Sequence, residues 1–151
     1  MTRWPLPPFM DAALDEARRA TDADEVPVGA IVVHRGRIVA AAHNAPRRLC
    51  DPTAHAELLA LRAAAQALGT ERLGQCDLWV TLEPCAMCAG AIVHARIARL
   101  YYGAGDAKGG AVEHGPRLFE RPECLHRPEV YPHIGEGEAA TLLRTFFAGR
   151  R

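Results

Sequence analysis

The sequence lacks most of the features that announce a function through composition. Its charges cancel, 18 Lys and Arg against 18 Asp and Glu, so the total shows no electrostatic footprint of nucleic-acid binding. Residues 101–151 are no different, with seven basic side chains against seven acidic ones. There is no apolar run near the roughly 18 residues that a membrane span requires. The opening MTRWPLPPF has neither the apolar core nor the small-residue cleavage site of a signal peptide. A cytoplasmic protein without a membrane role is the expectation. The cysteines do not form an even set: Cys50, Cys76, Cys85, Cys88 and Cys124 number five, which in a reducing compartment favours free thiols or metal ligands over a disulfide framework. Internal repeats and low-complexity linkers are absent too, so residues 1–151 are expected to form one domain.

What is present is the make-up of an ordinary globular chain, 49% hydrophobic and 24% charged, and a chain of this size buries roughly 70% of its unfolded surface. FMDAALDEARRA spaces Met10, Ala13, Leu14 and Ala17 for an amphipathic helix. Val28–Val33 and Ile38–Ala42, around an Arg-Gly turn, predict a hairpin. Asp51-Pro52-Thr53 carries helix-start chemistry and predicts a helix over Ala54–Leu68, stopped by Gly69. Asp77–Leu82 predicts a strand, Pro84 opens a helix to about Ala95, and Ala98–Gly103 predicts a further strand. Strand, helix, strand, helix, strand is the order of a layered α/β sheet. Residues 106–137 have weak periodicity, and a last helix at about 137–148 carries Leu142, Leu143, Phe146 and Phe147 on its apolar side.

The chemistry concentrates in two short stretches. Pro84-Cys85-Ala86-Met87-Cys88 sets two thiols at i and i+3 at a helix start. Unpaired backbone N–H groups and the positive end of the helix dipole there favour the thiolate that binds metal. Thr53-Ala54-His55-Ala56-Glu57 begins the preceding helix, where a neutral imidazole on His55 can supply a third ligand. Three protein ligands leave a tetrahedral zinc one position short, which catalytic sites keep for water. Bound zinc lowers the pKa of that water from about 15.7 to roughly 7, and a carboxylate such as Glu57 can take the proton and pass it on. One tension stands: two residues apart in a regular helix, His55 and Glu57 point about 200° away from each other.

Each stretch alone has other readings. A lone Cys-x-x-Cys also fits a structural metal site, a redox pair or coincidence, although the preceding proline and the Ala-Met between the thiols disfavour thioredoxin-like chemistry. A four-cysteine zinc site drawing on Cys50, Cys76 or Cys124 leaves PTAHAE unexplained, and His55 alone fits a satisfied core histidine. Together, His-x-Glu at one helix start and Pro-Cys-x-x-Cys at the next form the described signature of zinc nucleobase deaminases.

On these motifs the chain is identified as a member of the cytidine deaminase superfamily, and it closely resembles the bacterial tRNA-specific adenosine deaminases. The resemblance runs through EVPVGAIVV, the Asn44 after the hairpin, DPTAHAE, LWVTLEPCAMCAGAIVHARI, LYYGAGDAKGGA and FFAGRR, covering about residues 9–151 and weakest at 111–136. It implies an α/β fold, a three-layer α-β-α sandwich with a mixed five-stranded sheet. It implies hydrolytic deamination of adenosine to inosine at the wobble position of a transfer RNA anticodon stem-loop, with attack at C6 of a flipped base. By matching position, His55, Cys85 and Cys88 would hold Zn2+, one per subunit, and Glu57 would protonate N1. Asn44 would hydrogen-bond the base and Val28 pack on its face. Ala104, Asp106 and Lys108 would lie beside the anticodon loop, and Phe146 and Arg150 would help grip it. A homodimer is implied as well, both subunits shaping an RNA groove that is positive locally while the total is neutral.

Plainer roles exist for some of these residues: core packing for Phe146, a solvated turn for Asp106, a hairpin-exit cap for Asn44. The chain departs from the family pattern at Gly105-Asp106-Ala107-Lys108 and at Leu125, on the RNA-contacting side. A deaminase of a free base or nucleoside such as guanine or cytosine would use the same zinc and glutamate under a closing lid. A noncatalytic zinc-binding module would be expected to lack Glu57. The terminal FFAGRR favours the RNA reading.

Overall fold

Alternating apolar residues in the central strands build two cores, one on each face of a sheet. In the computed structural model, which describes residues 6–150, the chain runs α1 (Pro8–Asp22), β1 (Gly29–His34), β2 (Arg37–His43), α2 (Pro46–Leu49), α3 (Ala56–Leu68), β3 (Cys76–Leu82), α4 (Ala86–Ala95), β4 (Arg99–Ala104), a 3-10 turn (Leu118–Glu120), β5 (Glu129–Tyr131) and α5 (Glu136–Ala148). The extreme ends of the expected 1–151 domain, and part of MTRWPLPPF, lie outside the described residues. Among the described residues no helix is long and apolar enough to cross a membrane.

The sheet has five strands in the order β2-β1-β3-β4-β5. β1 pairs antiparallel with β2 and with β3, whereas β3–β4 and β4–β5 are parallel, so the sheet is mixed. The hairpin turns at Arg35-Gly36, both with positive φ (52° and 76°), the backbone sense that matches strand twist. One face of the sheet presents Ala30, Val32, Leu78, Val80, Leu100 and Tyr102 to α3 and α4, which answer with Ala60, Ala64, Ala89 and Ile92. The other face presents Ile31, Val33 and Trp79 to Met10, Ala13 and Leu14 of α1 and to Ala139 of α5. Helices on both faces of one sheet give three layers, and small alanines let α3 sit close to the strands.

Two elements were not read from periodicity. β5 is three residues long between Pro128 and Pro132, and α2 is a single turn. Two helices also begin later than expected, α3 at Ala56 instead of Ala54 and α4 at Ala86 instead of Pro84. Those shifts decide the geometry of the site.

Candidate active site and metal centre

The two half-motifs meet where α3 and α4 begin. His55 is the N-cap of α3 and Cys85 the N-cap of α4, both with extended backbone (φ −77°, ψ 151° and φ −74°, ψ 175°). Asp51 is not the cap of α3. Its Oδ1 instead accepts from the Thr53 N–H at 2.9 Å and the Thr53 hydroxyl at 2.7 Å, and the Asp51 carbonyl accepts from the Ala54 N–H at 3.1 Å. The resulting turn delivers His55 extended. The first helical N–H, that of Ala56, donates to Asn44 Oδ1 at 2.8 Å. Because His55 takes its direction from the turn and Glu57 from the helix, the 200° opposition of a regular helix does not arise.

His55 Nδ1 lies 3.5 Å from Cys85 Sγ and 3.6 Å from Cys88 Sγ, and the three donor atoms fall within 4.8 Å of one another. Zinc bonds of about 2.3 Å to sulfur and about 2.0 Å to nitrogen, at a tetrahedral angle, separate N from S by about 3.5 Å. The donor set therefore fits zinc. Cys88 is fully buried, whereas His55 and Cys85 are half-buried, which leaves the site reachable from solvent.

Electrostatics prepare the same group. A hydrogen bond from Cys88 pulls the Cys85 thiol down to about 4, against its burial and with help from His55. Cys88 moves the other way, raised by that hydrogen bond to Cys85 and by burial. Cys85 is thus the thiol poised as thiolate, and a metal ion held by both sulfurs would require both to be deprotonated. His55 is raised by its hydrogen bond with Cys85, against burial. Glu57 is 4% exposed, and burial pushes its carboxyl up to about 7, Cys85 adding to the rise while its own backbone N–H, His55 and Cys88 oppose it. A carboxyl that titrates near neutrality can both take and return a proton.

Comparison with known proteins agrees with this chemistry. The model of the cytidine and deoxycytidylate deaminase zinc-binding region matches residues 6–104. The chain is 57% identical to a tRNA-specific adenosine deaminase of Agrobacterium fabrum (strain C58) over 143 residues, 95% of this chain and 94% of the relative. The chain belongs to the cytidine and deoxycytidylate deaminase family, in its tRNA-specific adenosine deaminase branch. Among solved structures, one from work on A-to-I editing by tRNA:A34 deaminases at the wobble position of transfer RNA superposes with a TM-score of 0.88 at 57% identity, covering 89% of this chain and 98% of that one. A guanine deaminase from Nitrosomonas europaea follows at a TM-score of 0.77 and 28% identity, covering 97% of this chain and 87% of that one. Membership makes this chain a hydrolytic deaminase.

Around the deaminase centre the other expected residues divide. Asn44 and Val28 are neighbours, joined by an Asn44 N–H to Val28 carbonyl bond of 3.1 Å. Asp106 Oδ1 accepts from the N–H groups of Lys108 and Gly109 at 3.1 and 3.0 Å, a turn that leaves both side chains on a cavity of about 670 Å³ with Val26, Leu82, Leu143 and Phe147. Ala104 is buried at the end of β4, paired with Leu82. Phe146 is 7% exposed and Phe147 52%, so Phe147 faces the cavity while Phe146 packs inward beneath it. The Arg150 guanidinium stacks 3.7 Å above the Phe146 ring and pairs with Asp24. At Gly105 a Cβ would meet the ends of two side chains, Glu113 Oε1 at 2.9 Å and His114 Cε1 at 3.3 Å.

Three buried acids carry no signal in the motifs, Glu16, Glu25 and Glu83, and the last two are almost wholly enclosed. Glu25, 1% exposed, accepts from the N–H groups of Arg47 and Arg48 at 3.2 and 2.9 Å, tying the segment before Val28 to the segment after Asn44. Glu83, 2% exposed, immediately precedes Pro84-Cys85. A charged residue between apolar Leu82 and the Pro-Cys-x-x-Cys stretch was the available signal.

Proposed function

We propose that this deaminase converts adenosine to inosine at the wobble position of a transfer RNA anticodon, releasing ammonia. The observation that carries the reading is the 57% identity to a tRNA-specific adenosine deaminase across nearly the full length of both chains, against 28% for the guanine deaminase. His55, Cys85 and Cys88 would hold one zinc ion per subunit, which supplies the Lewis acid that makes water a nucleophile at neutral pH. Glu57 would take one proton of the water and deliver it to N1 of the base as the hydroxyl adds at C6, then take the proton of that new C6 hydroxyl and pass it to the departing amino group, leaving the C6 carbonyl of inosine. Water in and ammonia out balance the reaction.

Asn44 is oriented for its part. Its Oδ1 is engaged by Ala56, so the amide NH2 is what it offers, a donor suited to a ring-nitrogen acceptor of the purine. Val28 packs on the base face. Ala104, Asp106 and Lys108 border the anticodon loop, and Arg150, carried on Phe146, reaches the phosphates. One domain over residues 1–151, a homodimer and a cytoplasmic setting belong to the same reading.

Ammonia release measured on an anticodon stem-loop with adenosine at the wobble position, beside free guanine, cytosine and adenosine, tests the substrate class. Release from the stem-loop alone is expected. Release from free guanine with the RNA untouched would keep the zinc and Glu57 and move the chain to the small-molecule deaminases.

A further inference from the structure

We propose that Glu83 is a positioning residue that fixes the loop of residues 105–114 to the turn delivering Cys85; that this loop faces RNA rests on the transfer RNA reading above. Glu83 Oε1 accepts from the Asp106 N–H at 2.9 Å and from His114 Nδ1 at 2.6 Å. Its Oε2 accepts from three successive N–H groups, those of Val112, Glu113 and His114, at 3.1, 3.0 and 3.1 Å. A carboxylate only accepts, so the His114 tautomer with a proton on Nδ1 is selected. The backbone repeats the attachment: the Glu83 N–H donates to the Ala104 carbonyl at 2.8 Å and the Ala111 N–H donates to the Pro84 carbonyl at 2.9 Å. Both the outgoing and the returning limb of the loop are therefore anchored on residues 83–84.

The loop is shaped around that side chain. A Cβ on Gly110 would lie 2.4 Å from Glu83 Cδ and Oε2 and 2.5 Å from the Asp106 carbonyl oxygen, so any larger residue would press on both the carboxylate and the outgoing limb of the loop. A buried carboxylate is costly unless hydrogen bonds replace its water. The charge is spent on N–H groups of one loop, and two residues further on stands Cys85. Asp106 and Lys108 are in this way held at a fixed offset from the metal ligands before any substrate arrives, which spares binding the cost of ordering the loop.

Glu83→Gln and, independently, Gly110→Ala separate the attachment from the chemistry. In both, amide hydrogen exchange across residues 105–114 is expected to accelerate by about tenfold or more while α3 and α4 stay protected. Zinc content is expected to hold, and KM for the stem-loop to rise about tenfold with kcat within about threefold of wild type. Unchanged loop exchange in both variants overturns the anchoring role. A loosened loop with unchanged KM, or loss of zinc and kcat together, overturns the positioning role. The exchange measurement needs no RNA, so a wild-type protein that leaves the stem-loop untouched sinks the substrate reading while loop exchange still decides the anchor.

Discussion

His55 and Glu57 stand two residues apart, and the different roles proposed for them are open to them because one lies in a turn and the other in a helix. Glu57→Ala is expected to keep zinc and fold but lose turnover by about 10²–10⁴-fold, the range for removing a general acid–base group. Metal analysis beside a deamination assay checks it, and undiminished turnover would remove the proposed proton path. His55→Ala is expected instead to lose zinc, and full retention would mean that another residue completes the ligand set. These residues were legible in the sequence because zinc and proton transfer demand particular residue types at fixed spacing. Glu83 was not. Its donors lie 23 to 31 residues away, and most are backbone N–H groups, which carry no residue-type signature.

At the scale of elements, α5 sets two adjacent aromatics to opposite uses. Phe146→Ala is expected to cost about 3–5 kcal/mol, as truncation of a buried aromatic does, read by urea denaturation. Phe147→Ala is expected to stay within about 0.5 kcal/mol yet weaken stem-loop binding through the cavity it shares with Lys108. Equal stability of the two variants would contradict this division. The hairpin, β3, β4, α1 and α5 were legible since each has enough residues to show its period. β5 has three, between two prolines, too few for alternation to register. The start of α3 was misplaced because Asp51 has the chemistry of a cap but spends its carboxylate on Thr53.

For the molecule as a whole, a net charge of zero has to coexist with an anionic substrate. Among the described residues that line the cavity Lys108 is the one cation, so stem-loop affinity is expected to fall only gently with salt. Lys108→Ala is expected to flatten the slope of log affinity against log salt by about 0.7, the value for one phosphate contact on a single strand; an unchanged slope would place Lys108 away from the RNA. The substrate itself is tested most directly by reverse-transcription sequencing of a stem-loop after incubation with the zinc-loaded protein, alongside a stem-loop whose adenosine is moved one position from the wobble site. Inosine reads as guanosine, so guanosine is expected at the wobble position and not at the moved one. Adenosine retained at the wobble position would contradict the wobble-editing function.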